Sequence, residues 1–101
     1  MILLREKDSG SIVEVAVGSI VTVCLTEIPS SGYRWVVETA GKLEEVVNRF
    51  EVSGQVGAAG TRVFQFRTNH VGLHELCMKN WREWEGAASI IARFNARILV
   101  K

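Results

Sequence analysis

No run of apolar residues in the 101-residue chain is longer than a few positions, so none is long enough to cross a bilayer as a helix. Charge of one sign is missing too. Twelve Lys+Arg against 11 Asp+Glu leave a net +1, without the basic excess that a long nucleic-acid footprint needs. Catalytic signatures are absent: there is no GxSxG and no HExxH. The Gly57-Ala58-Ala59-Gly60 run is not followed by Lys-Ser/Thr or a helix, so it does not read as a phosphate cradle. Met1-Ile2-Leu3-Leu4 meets Arg5-Glu6-Lys7-Asp8 at once and is too short for a signal-peptide core. Location stays open, cytoplasmic or exported after loss of a signal. Proline is nearly absent, with one residue against nine glycines, and this composition leans toward strands joined by glycine turns.

What is present is globular: 48% hydrophobic and 23% charged residues. A chain of this mass buries roughly 65% of its surface on folding, enough for one core without a metal or disulfide staple. A single domain over residues 1–101 is expected. Ser11 to Val17 reads as a strand ending at Gly18-Ser19. Ile20 to Glu27 alternates, with Val21, Val23 and Leu25 on one face and Thr22, Cys24 and Thr26 on the polar one. Ile28 to Gly32 is a shaped loop, because proline fixes its own φ and Gly32 supplies a positive one. Tyr33 to Glu38 resumes as a strand. Lys42 to Val52 fits a strand or one short helix, and its β-branched pair favours strand. Ser53 to Gly60 is an exposed loop. Thr61 to Thr68, Leu73 to Trp81 and Ser89 to Val100 complete about seven strands, an all-β, immunoglobulin-like antiparallel sandwich. Its expected core holds Val21, Val23, Leu25, Trp35, Leu76, Met78 and Phe94, with Phe64 preferred to Val63 as the larger burial.

Cys24, Trp35 and Cys77 mimic the antibody order of Cys, Trp, Cys. Parity opposes a bridge: Cys24 shares a face with Thr22 and Thr26, Cys77 with Glu75 and Lys79, and outward cysteines on opposing sheets cannot come within about 7 Å. Free thiols are expected. His74 and Cys77, three apart on a strand, point to opposite faces and cannot form a base–nucleophile pair. His70 and His74 read as two surface histidines near a turn rather than as a metal site. Neither a catalytic nor a metal constellation emerges, and no cofactor is implied.

Three loops have unusual contents: Ile28 to Gly32, Ser53 to Gly60, and Asn80 to Gly86. Trp, Tyr and Arg dominate interface hot spots, and the third loop carries Trp81, Arg82 and Trp84. Trp81 fits either a fold-back onto the sandwich end or exposure. Trp84, between Glu83 and Glu85, is expected to be exposed.

In these loops the chain resembles the chagasin-type inhibitors of papain-like cysteine proteases, the proteinase inhibitor I42 family. The family's first loop, Asn-Pro-Thr-Thr-Gly-Tyr/Phe-x-Trp, is similar to Ile28-Pro29-Ser30-Ser31-Gly32-Tyr33-Arg34-Trp35. Its glycine-rich second loop looks like Gly57-Ala58-Ala59-Gly60-Thr61 before Phe64-x-Phe66. Its third, Arg-Pro-Trp-Glu/Thr, is similar to Arg82-Glu83-Trp84-Glu85, with Glu83 in place of the proline. The resemblance implies a non-enzymatic, reversible, non-covalent inhibitor, a monomer with a papain-like cysteine protease as partner and neither nucleic acid nor membrane. It places the contacts on Pro29, Ser30, Ser31, Gly32 and Tyr33, on Gly57, Ala58, Ala59 and Gly60, and on Arg82, Trp84 and Glu85. A non-catalytic adhesion or carbohydrate-binding sandwich, using a sheet face or edge, is the alternative.

Overall fold

Alternation sets the two inner faces. The computed structural model describes residues 2–52 and 59–101, and its strands are β1 (Ile2–Leu4), β2 (Ser11–Val15), β3 (Ile20–Glu27), β4 (Arg34–Thr39), β5 (Glu44–Glu51), β6 (Gly60–Arg67), β7 (Gly72–Trp81) and β8 (Ala92–Val100). They form two four-stranded sheets, ordered β1-β3-β6-β5 and β2-β8-β7-β4. Val21, Val23 and Leu25 of β3 face Leu76 and Met78 of β7 and Phe94, Ala96 and Ile98 of β8 across one core, with Phe64 and Phe66 stacked 6.3 Å apart between them. Every residue expected in the core is buried, including Trp35. Val63 is buried as well, but on the outer face of its sheet, between its cross-strand partners Cys24 and Arg49.

The count of strands is eight among the described residues, one more than the alternation suggests, and not all pairings are antiparallel. β1 runs parallel to β3, and β2 parallel to β8. The N-terminal segment closes one edge of each sheet in turn, crossing between them through the short turn Glu6–Asp8. Three residues are too few to show a period, which is why β1 is invisible in the sequence. Its presence alters one expectation. Thr22, read as lying on a polar face, is buried, because Leu3 covers it from one side and Gln65 donates to its Oγ1 at 3.3 Å from the other.

His74 also departs from the sequence reading. It is not at the surface but buried, on the inner parity of β7 with Leu76 and Met78. Its Nε2 donates to the His70 carbonyl at 2.8 Å and its Nδ1 accepts the Lys42 N–H at 3.2 Å, so both ring nitrogens are satisfied within the fold. A histidine so held is a connector between the β7 start and the Gly41 turn.

Cys24 and Cys77 are free thiols, half-buried on the outer faces of different sheets, as parity requires. Burial pushes the Cys24 thiol up, an effect that the nearby Arg5 partly offsets. Both cysteines should react with a thiol reagent without prior reduction, giving two equivalents. Because a raised thiol value leaves less thiolate at a given pH, alkylation of Cys24 should still be accelerating at a pH where an ordinary exposed thiol has levelled off. A pH series of alkylation rates read by peptide mass spectrometry checks both points.

In the first sheet, Gly60 opens β6 directly against the ring of Phe50 on the edge strand β5. A Cβ there would collide with that ring and lie 2.5 Å from the Glu51 carbonyl oxygen. Gly60→Ala should therefore cost about 1–3 kcal/mol of stability through overpacking, measured by urea unfolding.

Candidate functional site

Residues 28–33 join the end of β3 to the start of β4, and the pattern of hydrogen bonds there leaves the loop little freedom. Pro29–Ser31 form a single 3-10 turn, with Ser31 N–H to Ile28 C=O at 3.1 Å and Gly32 N–H to Pro29 C=O at 3.3 Å. The Ser31 hydroxyl donates to the Ile28 carbonyl at 2.6 Å and accepts the Tyr33 N–H at 3.2 Å, a local bridge that serine favours. Gly32 ends the turn at φ 79°, in the left-handed region that glycine enters without strain.

The two stalks of this loop are tied just below it. Trp35 Nε1 donates across the sandwich to the Thr26 carbonyl at 2.9 Å, joining the two sheets at this end. The backbone N–H of Trp35 is taken by Glu27 Oε2 at 2.9 Å. Glu27 is 3% exposed, and its charge is matched by Arg62 of β6, whose Nη2 lies 2.7 Å from Oε1 and whose Nε lies 3.2 Å from both oxygens. Arg62 in turn stacks over the Phe50 ring at 5.6 Å. Neither Glu27 nor Arg62 figures among the residues expected at the site. Parity held the signal: Glu27 continues the Val21, Val23, Leu25 face and is therefore directed inward.

The third loop follows β7 as the turn Glu83–Ser89. Arg82 turns back to the first loop, donating from Nε at 3.1 Å and Nη2 at 2.9 Å to the one carbonyl of Ser31. Its guanidinium lies 4.3 Å from the centre of the Tyr33 ring and 3.5 Å from the Glu85 carboxylate. Buried Ser89 fixes the far end of the loop. Its Oγ accepts the Arg82 N–H at 3.0 Å and lies 2.9 Å and 2.7 Å from the carbonyls of Arg82 and Gly86, either of which can take its one proton. Trp84 projects from this frame 72% exposed, yet the outer edge of its indole rests on Gly32: a Cβ at that glycine would be 2.7 Å from Trp84 Cη2. Trp81 takes the intermediate course, half-buried with Lys79 Nζ 3.5 Å above its ring.

First and third loops are thus brought together through Arg82 on Ser31 and Tyr33 and through Trp84 on Gly32, while Pro29, Ser30, Trp84 and Glu85 are exposed. Of the second loop, Gly57 and Ala58 lie outside the described residues, Ala59 is exposed, and Gly60 is buried in the sheet beside Phe50. Among the described residues no group of three or more His, Cys, Asp or Glu could hold a metal ion.

A sequence model of the chagasin family peptidase inhibitor I42 matches residues 14–98, which span both sheets and all three loops. The chain belongs to that family. It is 28% identical to chagasin of Trypanosoma cruzi over 94 residues, covering 85% of this chain and 86% of that protein. Its fold matches the cysteine protease inhibitor EhICP2 of Entamoeba histolytica with a TM-score of 0.87 at 17% identity, over 99% of this chain and 94% of that one. It also matches PbICP-C, solved in complex with falcipain-2, with a TM-score of 0.72 at 13% identity over the whole of both chains. Chagasin-family proteins are inhibitors rather than enzymes, in keeping with a site built of small residues, aromatics and a structural arginine.

The Glu27–Arg62 pair sets the base of the first loop, and its loss has a signed consequence. Glu27→Ala leaves the Arg62 charge largely buried without its partner and the Trp35 N–H without an acceptor, so stability should fall by about 3–5 kcal/mol. Glu27→Gln keeps an acceptor for that N–H and should lose less. Denaturant unfolding of the two variants side by side measures the difference.

Proposed function

We propose that this loop-built surface is a wedge that blocks the active-site cleft of papain-like cysteine proteases, reversibly and without covalent chemistry. The observation that carries the reading is the clamp of Arg82 on the Ser31 carbonyl, which makes two loops 51 residues apart in sequence into one preformed surface. A surface ordered before binding avoids the entropy of ordering it afterwards. Pro29, Ser30 and Gly32 have little or no side chain to obstruct the close approach of backbone to a catalytic cysteine and histidine. Trp84 supplies a large apolar contact on one side of the cleft, and the Gly57–Gly60 segment meets the other wall. Tyr33, Arg82 and Glu85 support the wedge from behind. An interface of about 1,600 Å² in total suits such an arrangement.

Titrating papain with the pure protein tests the reading. Trp84→Ala should weaken inhibition by about 2 kcal/mol or more, roughly thirtyfold, as for a central aromatic hot spot. Ser30→Arg should weaken it further, since a long charged side chain must then enter a closed cleft. Ser30 is the better position for this change than Ser31, whose hydroxyl holds the loop together. Both altered side chains are exposed, so melting temperatures should stay near that of the parent protein. Inhibition constants unchanged in both variants would move the binding surface elsewhere.

A further inference from the structure

The wedge does not end at its tips. Beside the Gly32–Trp84 contact lies a recess of about 170 Å³ that continues over Arg34, Val36, Trp81 and Glu83. A second recess, of about 430 Å³, shares Val36, Trp81 and Glu83 with the first and runs on along the outer face of β4 and β7 as far as Glu38 and Lys79. The two make one groove, open on the side where β4 is the last strand of its sheet.

The two ends of the groove differ in charge pairing. Lys79 and Arg93 share the one carboxylate of Glu38, and Arg97 pairs with Glu75. Arg34 and Glu83, on the walls nearest the tips, have no ion-pair partner among the described residues, although Arg34 is exposed directly across the strand pair from Trp81. Trp81 forms the floor, with the Lys79 ammonium over its ring. A half-exposed indole flanked by unpaired charges is the composition of a contact surface: the aromatic gives area with few rotatable bonds to fix, and the charges select what may lie against it.

We propose that the protease-facing surface extends from the loop tips down this groove, and that its occupant is a segment of the rim of the protease cleft carrying a carboxylate opposite Arg34 and an apolar side chain over Trp81 and Val36. The inference rests on the inhibitor reading above, because it is the seating of Gly32 and Trp84 in the cleft that brings the rim over Arg34. The groove then discriminates among proteases that the wedge alone would treat alike. Rims with a carboxylate beside Arg34 and no acidic group beside Glu83 are held, and rims with those charges reversed are repelled.

The experiment uses the full chain with papain. Inhibition constants are measured for the parent protein, Arg34→Glu, Val36→Arg and Trp84→Ala, each checked for an unchanged melting temperature, and protection from carbene footprinting is mapped on the complex. Arg34→Glu and Val36→Arg should each raise the inhibition constant tenfold or more, the former mainly by slowing association and with a weaker effect at high salt. Trp81 and Val36 should be protected in the complex. If both variants inhibit within twofold of the parent while Trp84→Ala is weakened, or if Trp81 and Val36 label equally with and without papain, the contact stops at the tips and the extended surface is wrong, though the wedge stands. If the parent protein itself does not inhibit papain, both readings fall together.

Discussion

Much of the loop-bearing end depends on one carboxylate. An edge strand such as β4 leaves backbone N–H groups with no neighbouring strand to receive them. Glu27 stands in for that strand at Trp35, and it does so from inside the core, where an unpaired charge is untenable. Arg62 removes the difficulty by binding both carboxylate oxygens. A pair of apolar residues could match the ion pair in stability, since desolvating two charges costs several kcal/mol each. It could not accept the Trp35 amide. The pair therefore fixes where β4 begins, and with it the span that the first loop must bridge, and it ties that point to β6. Glu6 gives the same service at the other stalk, accepting the Thr26 N–H beyond the end of β1.

Above that base, the first and third loops hold each other. The third loop carries Glu83 where the family motif that it resembles has a proline, and proline is one means of limiting what a loop must lose on binding. Ser89 supplies another: its hydroxyl joins both ends of the turn, and the Arg82 side chain carries the restraint across to Ser31. The order therefore comes from side-chain hydrogen bonds. Exchanging proline for Glu83 also leaves a charge on the wall of the β4–β7 groove, where a proline would have been neutral.

How legible this was from the sequence follows the range of the interactions. β3, β7 and β8 show their two faces as alternation, so the inner residues and the outward cysteines could be assigned from parity alone. β1 is too short to alternate and is defined by its neighbour β3, hence the missing eighth strand. Glu27 and His74 obey the same parity as the core residues around them. Their polarity masked it, because a charged or titratable side chain reads as a surface marker until its partner is known, and Arg62 and the Lys42 amide are 35 and 32 residues away. The site was legible only as three loops resembling those of a family. What welds two of them, Arg82 on a backbone oxygen, leaves no trace in composition or spacing.

The same weld bears on how the first loop, seated in a protease cleft as proposed, would resist cleavage. A cysteine protease needs a substrate carbonyl free to rotate its oxygen into the oxyanion hole as the thiolate attacks, and effective proximity counts only when the attack geometry is met. In this loop the Ser31 oxygen is turned toward loop three and held by two guanidinium N–H groups, while the Ile28 and Pro29 oxygens accept hydrogen bonds inside the turn. Presenting any of the three to a catalytic thiolate means breaking those bonds first, in a cleft where water is scarce and a lost hydrogen bond is not replaced. Close approach and resistance to cleavage at these three carbonyls thus have one physical origin: the Ile28, Pro29 and Ser31 oxygens are already spent on holding the loop's shape.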